Sequence, residues 1–185
     1  DIVSPSPIIL ISAKDENPSL LLDDSSKFLL LLKRPGAALN DTIRFTDPDL
    51  IFVPSSKSAV NKAIIEYNPK NLKDGLYTLR VQAYDRAGNV AGSNMYEINF
   101  QVINEQMATR FYPYPNPFST SMHFVFTLTG KIPDDIYIQI MTVSGKVVKT
   151  ITRQELGFIH LGHNITEWGW DGTDEFGDKL ANGVY

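Results

Sequence analysis

Apolar residues in this chain recur at every second position, and each such run is cut short by turn-forming residues. In Leu76–Tyr84 the side chains of Tyr77, Leu79, Val81 and Ala83 fall on one face, with Thr78, Arg80 and Gln82 on the other. In Tyr96–Val102, Tyr96, Ile98, Phe100 and Val102 alternate with Glu97, Asn99 and Gln101. A period of two is the pattern of a half-buried β-strand, and no stretch carries the 3.6-residue period of an amphipathic helix over three turns. Asp85-Arg86-Ala87-Gly88-Asn89 lies between the two runs and supplies turn chemistry, which predicts a hairpin. Ile8–Ser12, Phe28–Leu32, Thr42–Phe45, Ile51–Val53 and Ala63–Tyr67 are further strand candidates. They are separated by turn signals at Asn17-Pro18, Pro35-Gly36, Asp47-Pro48, Asn68-Pro69 and Asp74-Gly75. About seven short strands with frequent turns predict an immunoglobulin-like sandwich over residues 1–105.

The pattern then changes. Residues 106–110 read as a linker, followed by Tyr112-Pro113-Tyr114-Pro115-Asn116-Pro117-Phe118. Prolines at alternate positions hold the backbone extended, so this segment predicts a stiff connector or an edge entry. A second β pattern follows, giving a second sandwich over 111–185. Phe124, Phe126 and Leu128 alternate with His123, Val125 and Thr127, and Ile136, Ile138 and Ile140 alternate with Tyr137, Gln139 and Met141. Ser144-Gly145 predicts a tight turn into Lys146–Ile151. Thr166, Trp168 and Trp170 are expected to share a strand face. Asp171-Gly172 and Phe176-Gly177-Asp178 turn the chain toward a strand expected to begin near Val184-Tyr185. The fold class expected is all-β, two immunoglobulin-like sandwiches in tandem.

Composition narrows the function classes. With 17 basic and 21 acidic side chains among 185 residues, the net charge is −4, the wrong sign for a nucleic-acid surface. There is no cysteine, hence no disulfide, no zinc-thiolate site and no cysteine nucleophile within these residues. The densest apolar run, Phe28–Leu32 between Lys27 and Lys33, is far shorter than the roughly 20 residues of a membrane-spanning helix. Asp1-Ile2-Val3-Ser4-Pro5 lacks the basic start and apolar core of a signal peptide, so the chain is either intracellular or a piece of something longer.

The order Tyr114-Pro115-Asn116-Pro117-Phe118, Ser144-Gly145-Lys146-Val147-Val148, Trp170-Asp171-Gly172-Thr173-Asp174 and Asn182-Gly183-Val184-Tyr185 resembles the FlgD-like immunoglobulin-type domains of proteins exported by the type IX secretion system of Bacteroidetes-type bacteria. The wording around Ile138–Val148 and Trp170–Tyr185 is similar to the tail of the PorU sortase-like, gingipain-like cysteine peptidase family. Residues 1–104 are similar to the bacterial immunoglobulin-like modules that precede such tails. The resemblance implies an exported chain at the periplasm, outer membrane or cell surface. It implies a non-catalytic structural or docking role, with type IX or outer-membrane surface components and upstream domains of the same chain as partners. The family's domains continue past Gly-Val-Tyr with another aromatic strand, so Tyr185 is expected to fall short of the last strand.

Each motif has two readings. Tyr114–Phe118 is either a rigid linker with Phe118 in a core or a docking edge. Trp168 and Trp170 are either core anchors or sugar-stacking platforms, the second making the chain a carbohydrate-binding or adhesive module. Asp171 reads as an Asx-turn former. His160 and His163 at i and i+3 point to opposite faces of a strand and have no third ligand at suitable spacing. Calcium is the better metal candidate, at Asp15-Glu16-Asn17-Pro18 with Asp85–Asn89, although neither segment has an established calcium-loop spacing. Asp171, Asp174, Glu175 and Asp178 form a second acidic group, expected at a solvated hairpin tip. No nucleophile elbow or phosphate loop occurs, so no catalytic or cofactor residue is assigned.

Overall fold

The computed structural model describes residues 1–185 apart from Pro18 and residues 57–59. It is all-β: the helical content among the described residues is one 3-10 turn at Ser25–Lys27. The chain divides into two compact units, Asp1–Asn104 and Glu105–Tyr185.

The first unit is built from β1 (Ile2–Val3), β2 (Ile9–Asp15), β3 (Phe28–Lys33), β4 (Asp41–Ile43), β5 (Leu50–Val53), β6 (Asn61–Tyr67), β7 (Gly75–Ala83) and β8 (Tyr96–Val102). Two sheets form, ordered β1-β8-β7-β3-β4 and β2-β6-β5. Facing sheets of this order, with a three-stranded layer opposite one centred on β3, β7 and β8, make an immunoglobulin-type sandwich. The expected hairpin is present: β7 and β8 pair antiparallel from Gly75↔Val102 to Val81↔Tyr96. The inward alternation of β3 and β7 brings Leu30, Leu32, Tyr77 and Leu79 against Ala63, Ile65 and Tyr67 of β6 in one core. Each fully buried leucine there contributes on the order of 2 kcal/mol of apolar transfer. The apolar run with flanking lysines is thus a central strand whose inward leucines are sealed from water.

Two local devices hold the turn into β7. The Tyr77 hydroxyl donates to the Lys73 carbonyl at 3.0 Å, the arrangement that ties the corner between sheets in such sandwiches. Gly75 has φ +136, and a Cβ there would lie 2.5 Å from the Pro35 ring, so only glycine fits.

The second unit contains β9 (Met107–Tyr114), β10 (His123–Thr129), β11 (Ile138–Met141), β12 (Val147–Ile151) and β13 (Gly162–Ile165). A three-stranded sheet, β13-β10-β9, and a two-stranded one, β11-β12, share a core of Phe124, Phe126, Leu128, Ile138, Ile140 and Ile151.

Several expectations need correction here. The linker expected at 106–110 is strand from Met107 onward, because β9 supplies backbone partners to β10 along Met107↔Thr129 to Tyr114↔His123. Pro113 is tolerated in that ladder since β9 is an edge strand of its sheet. Thr166, Trp168 and Trp170 do not share a strand face. Thr166 pairs with Phe124 and Trp170 with Met122, so the segment between them carries an excess residue pair and arches out of register. Residues 180–185 carry no strand. Finally, Tyr96 and Ile98 lie on the inward face of β8 as expected, yet both are exposed.

The β9–β10 ladder holds a bulge. Val125 pairs with Tyr112 and Thr127 with Thr109, leaving Arg110 and Phe111 opposite Phe126. Arg110 takes φ +52, the left-handed conformation in which a side chain costs about 1 kcal/mol and glycine almost nothing. Arg110→Gly is therefore expected to raise the unfolding free energy by about 1 kcal/mol, read as a higher urea midpoint at unchanged slope. A lower midpoint would refute the strain assignment.

Candidate functional site

The residues singled out by the sequence motifs converge in the second unit, around Trp170. β9 ends at Tyr114, and Pro115, Asn116 and Pro117 form an exposed turn in which the Tyr114-Pro115 and Asn116-Pro117 bonds are cis. Phe118 then folds back, its ring 5.6 Å from that of Trp170 and tilted by 51°. Trp170 is 2% exposed. Its backbone exchanges two hydrogen bonds with Met122, and its indole Nε1 donates to the Thr173 carbonyl at 2.7 Å. The Tyr185 ring meets Trp170 edge-on at 6.0 Å, and its hydroxyl donates to the Ala181 carbonyl.

The turn after Trp170 explains the residue types around it. Asp171 Oδ1 accepts from the Thr173 backbone N–H at 3.1 Å and from its hydroxyl at 2.7 Å, closing the expected Asx turn. The Thr173 hydroxyl bond, the larger cause, holds the Asp171 carboxyl below the usual aspartate range. Lys179 reaches back to donate to the Asp171 carbonyl. Gly172 sits at φ +84, and a Cβ there would lie 3.6 Å from the Phe118 ring. Three motifs distant in sequence therefore build one aromatic node: Phe118 from the connector, Trp170 and Gly172 from the turn, and Tyr185 beyond Gly183. Gly145 stands apart, in the Thr142–Lys146 turn joining β11 to β12, at φ +84.

Trp170 is enclosed, so it presents no face on which a sugar could stack, and that half of the stacking reading is corrected; Trp168 is half-buried and packs against the same core. His160 also has local partners. His160 Nδ1 lies 2.8 Å from the Leu161 carbonyl, while the buried Asn164 braces the His160 and Gly162 backbone with three hydrogen bonds.

The acidic segments are closed turns. Asp85 accepts from the Asn89 backbone at 2.7 Å and from its side-chain amide at 2.6 Å, and the side-chain bond is the leading reason its carboxyl is held low. Asp174 Oδ1 accepts from the backbone of Phe176 and Asp178. Asp15 accepts from the Asn17 backbone; Pro18, the last residue of that calcium candidate, lies outside the described residues. Among the described residues no three metal-ligating side chains gather, and no helix is long and apolar enough to cross a membrane.

Beside the node runs a free edge, the second of the two readings of the Tyr112–Phe118 segment, and it extends back along β9 to Met107. Among the described residues β9 pairs with β10 on one side only, and it displays Phe111, Tyr112 and Tyr114 as exposed aromatics along its length. Phe111 is steadied from within by stacking on the buried Phe124, with ring centroids 5.7 Å apart. Aromatics on alternate positions were the available signal, but the prolines around them favoured a connector reading.

Fold and node together define an all-β chain of two immunoglobulin-like sandwich units, the second closed around an aromatic cluster. No protein-family model matches the chain, and no curated protein matches it. Among solved structures it is similar to dimeric latent PorU from Porphyromonas gingivalis, at 20% identity and a TM-score of 0.37. That alignment covers 98% of this chain and 16% of the other, so the chain spans a small part of the protein it matches.

Proposed function

We propose that this chain is a non-catalytic structural and docking module from the C-terminal region of a large exported bacterial protein, one of the type IX secretion sortase-like cysteine peptidase kind. The observation that carries the docking role is the free edge of β9. A strand edge binds through main-chain hydrogen bonds without a pocket, and the exposed Phe111, Tyr112 and Tyr114 add apolar contact on its faces. The aromatic node fixes where this edge ends, because Phe118 anchors the turn just beyond Tyr114. The ordered motifs Tyr114–Phe118, Ser144–Val148, Trp170–Asp174 and Asn182–Tyr185 support the type IX assignment. The catalytic cysteine of such a peptidase would lie elsewhere in the parent, since this chain has none. The partners are secretion or outer-membrane surface components.

The test is a fluorescent reporter fused to the intact chain in a type IX-competent host. Surface retention above that of the untagged reporter is expected, and Tyr112→Lys, which places a gatekeeper charge on the edge, is expected to reduce it severalfold. Retention equal to the untagged control would defeat the targeting reading. Retention unaffected by Tyr112→Lys would defeat the β9 assignment.

A further inference from the structure

The two outer faces of the first unit differ in kind. That of the β1-β8-β7-β3-β4 sheet is crossed by polar pairs: the Thr78 hydroxyl donates to Asn99 at 2.7 Å, and Arg80 donates to Glu97 at 2.7 Å. That of β2-β6-β5 is apolar at its centre. Leu10 of β2 is 66% exposed, Ile51 and Val53 of β5 are 51% and 49%, and Ile64 of β6 is half-buried between the two strands. Strand register sets these side chains in two rows, Leu10-Glu66-Ile51 and Ser12-Ile64-Val53. The next row is charged, with Lys14 directly opposite Lys62. Among the described residues none of Lys14, Lys62 and Glu66 is in an ion pair, and Glu66 accepts from the neutral Asn68 amide at 2.8 Å. Like charges directly across a ladder repel, and a contiguous apolar patch on a domain surface marks a contact site. All of these residues lie between positions 10 and 66, in the sheet opposite the one that Asp1 enters beside β8.

We propose that this face receives a second copy of the chain, the two β2-β6-β5 sheets packing face to face with β6 antiparallel over β6. Charge selects both the occupant and its orientation. Glu66 and Lys62 lie on the outer side of β6, two residues to either side of Ile64. A two-fold axis beside Ile64, in the plane of contact and perpendicular to the strands, sets Glu66 of each copy over Lys62 of the other. The Lys14-Lys62 pair then receives a carboxylate, Ile64 meets Ile64, and the stem of Lys14 covers Leu10 of the facing copy. A parallel arrangement would stack Glu66 on Glu66 and lysine on lysine, so like charge excludes it. An unrelated partner would have to reproduce this order of acid, apolar centre and base, whereas a second copy carries it by symmetry. Three strands about 4.8 Å apart give a footprint of roughly 300 Å², below the about 800 Å² per partner of a standard interface. The contact is therefore weak, with a dissociation constant on the order of 0.1 mM.

This contact is in the first unit and is independent of the β9 edge proposed above, so either can fail alone. The test is sedimentation equilibrium of the intact chain over a range of concentrations. At about 1 mM most chains should be dimeric, and at about 0.01 mM most should be monomeric. Leu10→Lys and Lys62→Glu should each weaken association about tenfold or more. Both positions are exposed, so neither change disturbs the core. Combining Lys62→Glu with Glu66→Lys should restore association, because each copy again sets an acid over a base of the other. Raised salt should weaken the contact, and Tyr112→Lys should leave it unchanged. A chain still monomeric at about 1 mM, or association unaltered by Leu10→Lys, would overturn the proposal. Failure of the charge-swapped double variant to regain the original affinity would overturn it too, since this orientation is what selects a second copy. A monomeric chain that binds vesicles of phosphatidylglycerol, and loses them on Leu10→Lys, would likewise overturn it, assigning the face to a lipid surface.

Discussion

Trp170→Ala is expected to remove about 4 kcal/mol from the stability of the second unit. Native domains hold only about 5–15 kcal/mol in total, so the variant should lose amide protection across β10 and β11 at ambient temperature. Three losses combine. The deleted indole leaves a void beneath Phe118 and Tyr185, since both rings rest on it. The Thr173 carbonyl loses its donor at 2.7 Å, and the turn through Asp171 and Gly172 loses its anchor. Trp170→Phe separates these effects. It keeps a ring in the node but no N–H, and should cost about 1–2 kcal/mol. Hydrogen exchange of the intact chain is the measurement. Unchanged protection in Trp170→Ala would show that the node is not the keystone of this unit.

The second large effect is expected at Asn61, the first residue of β6. Only 4% exposed, it makes three hydrogen bonds. Its Oδ1 accepts from the Leu22 backbone N–H at 3.0 Å, and its Nδ2 donates to the carbonyls of Asn17 at 2.8 Å and Leu20 at 2.9 Å. It thereby seats the segment that carries Leu22 into the core. Asn61→Ala leaves the buried Leu22 N–H without a partner, which costs about 1–3 kcal/mol alone; with the two lost donor bonds the total should reach about 3 kcal/mol. Asn61→Asp should be no better, because it keeps the acceptor but buries a charge and removes both donors. Urea unfolding of the first unit reads the difference. A midpoint within error of the parent for Asn61→Ala would mean that the segment is held by its apolar contacts instead.

How far the sequence was legible can be judged strand by strand. Where alternation was strong, as in Leu76–Tyr84 and Tyr96–Val102, strand limits and inward faces are found within a residue or so. β1 was missed because two residues carry no period; it exists through its parallel pairing with β8. β13, reading Gly-His-Asn-Ile, has no apolar alternation and is a strand because β10 offers it partners. β9 was obscured by Pro113, whose missing N–H matters less at an edge than in a central strand. The motif residues were visible one by one, but their convergence on Trp170 was not, since Phe118, Gly172 and Tyr185 meet only after the unit closes.

Alternation of apolar and polar side chains is a local property, set by the two-residue repeat of an extended backbone. It was enough to establish two successive β units and most of their inward faces from composition and spacing alone. Which strands became edges is a matter of neighbours. Tyr96 and Phe100 share one face of one strand, yet Tyr96 is open while Phe100 is sealed, its ring stacked on that of the buried Tyr77 at 5.2 Å. Every candidate surface in this protein comes from that second kind of fact: a strand's unpaired side depends on what the rest of the chain leaves uncovered.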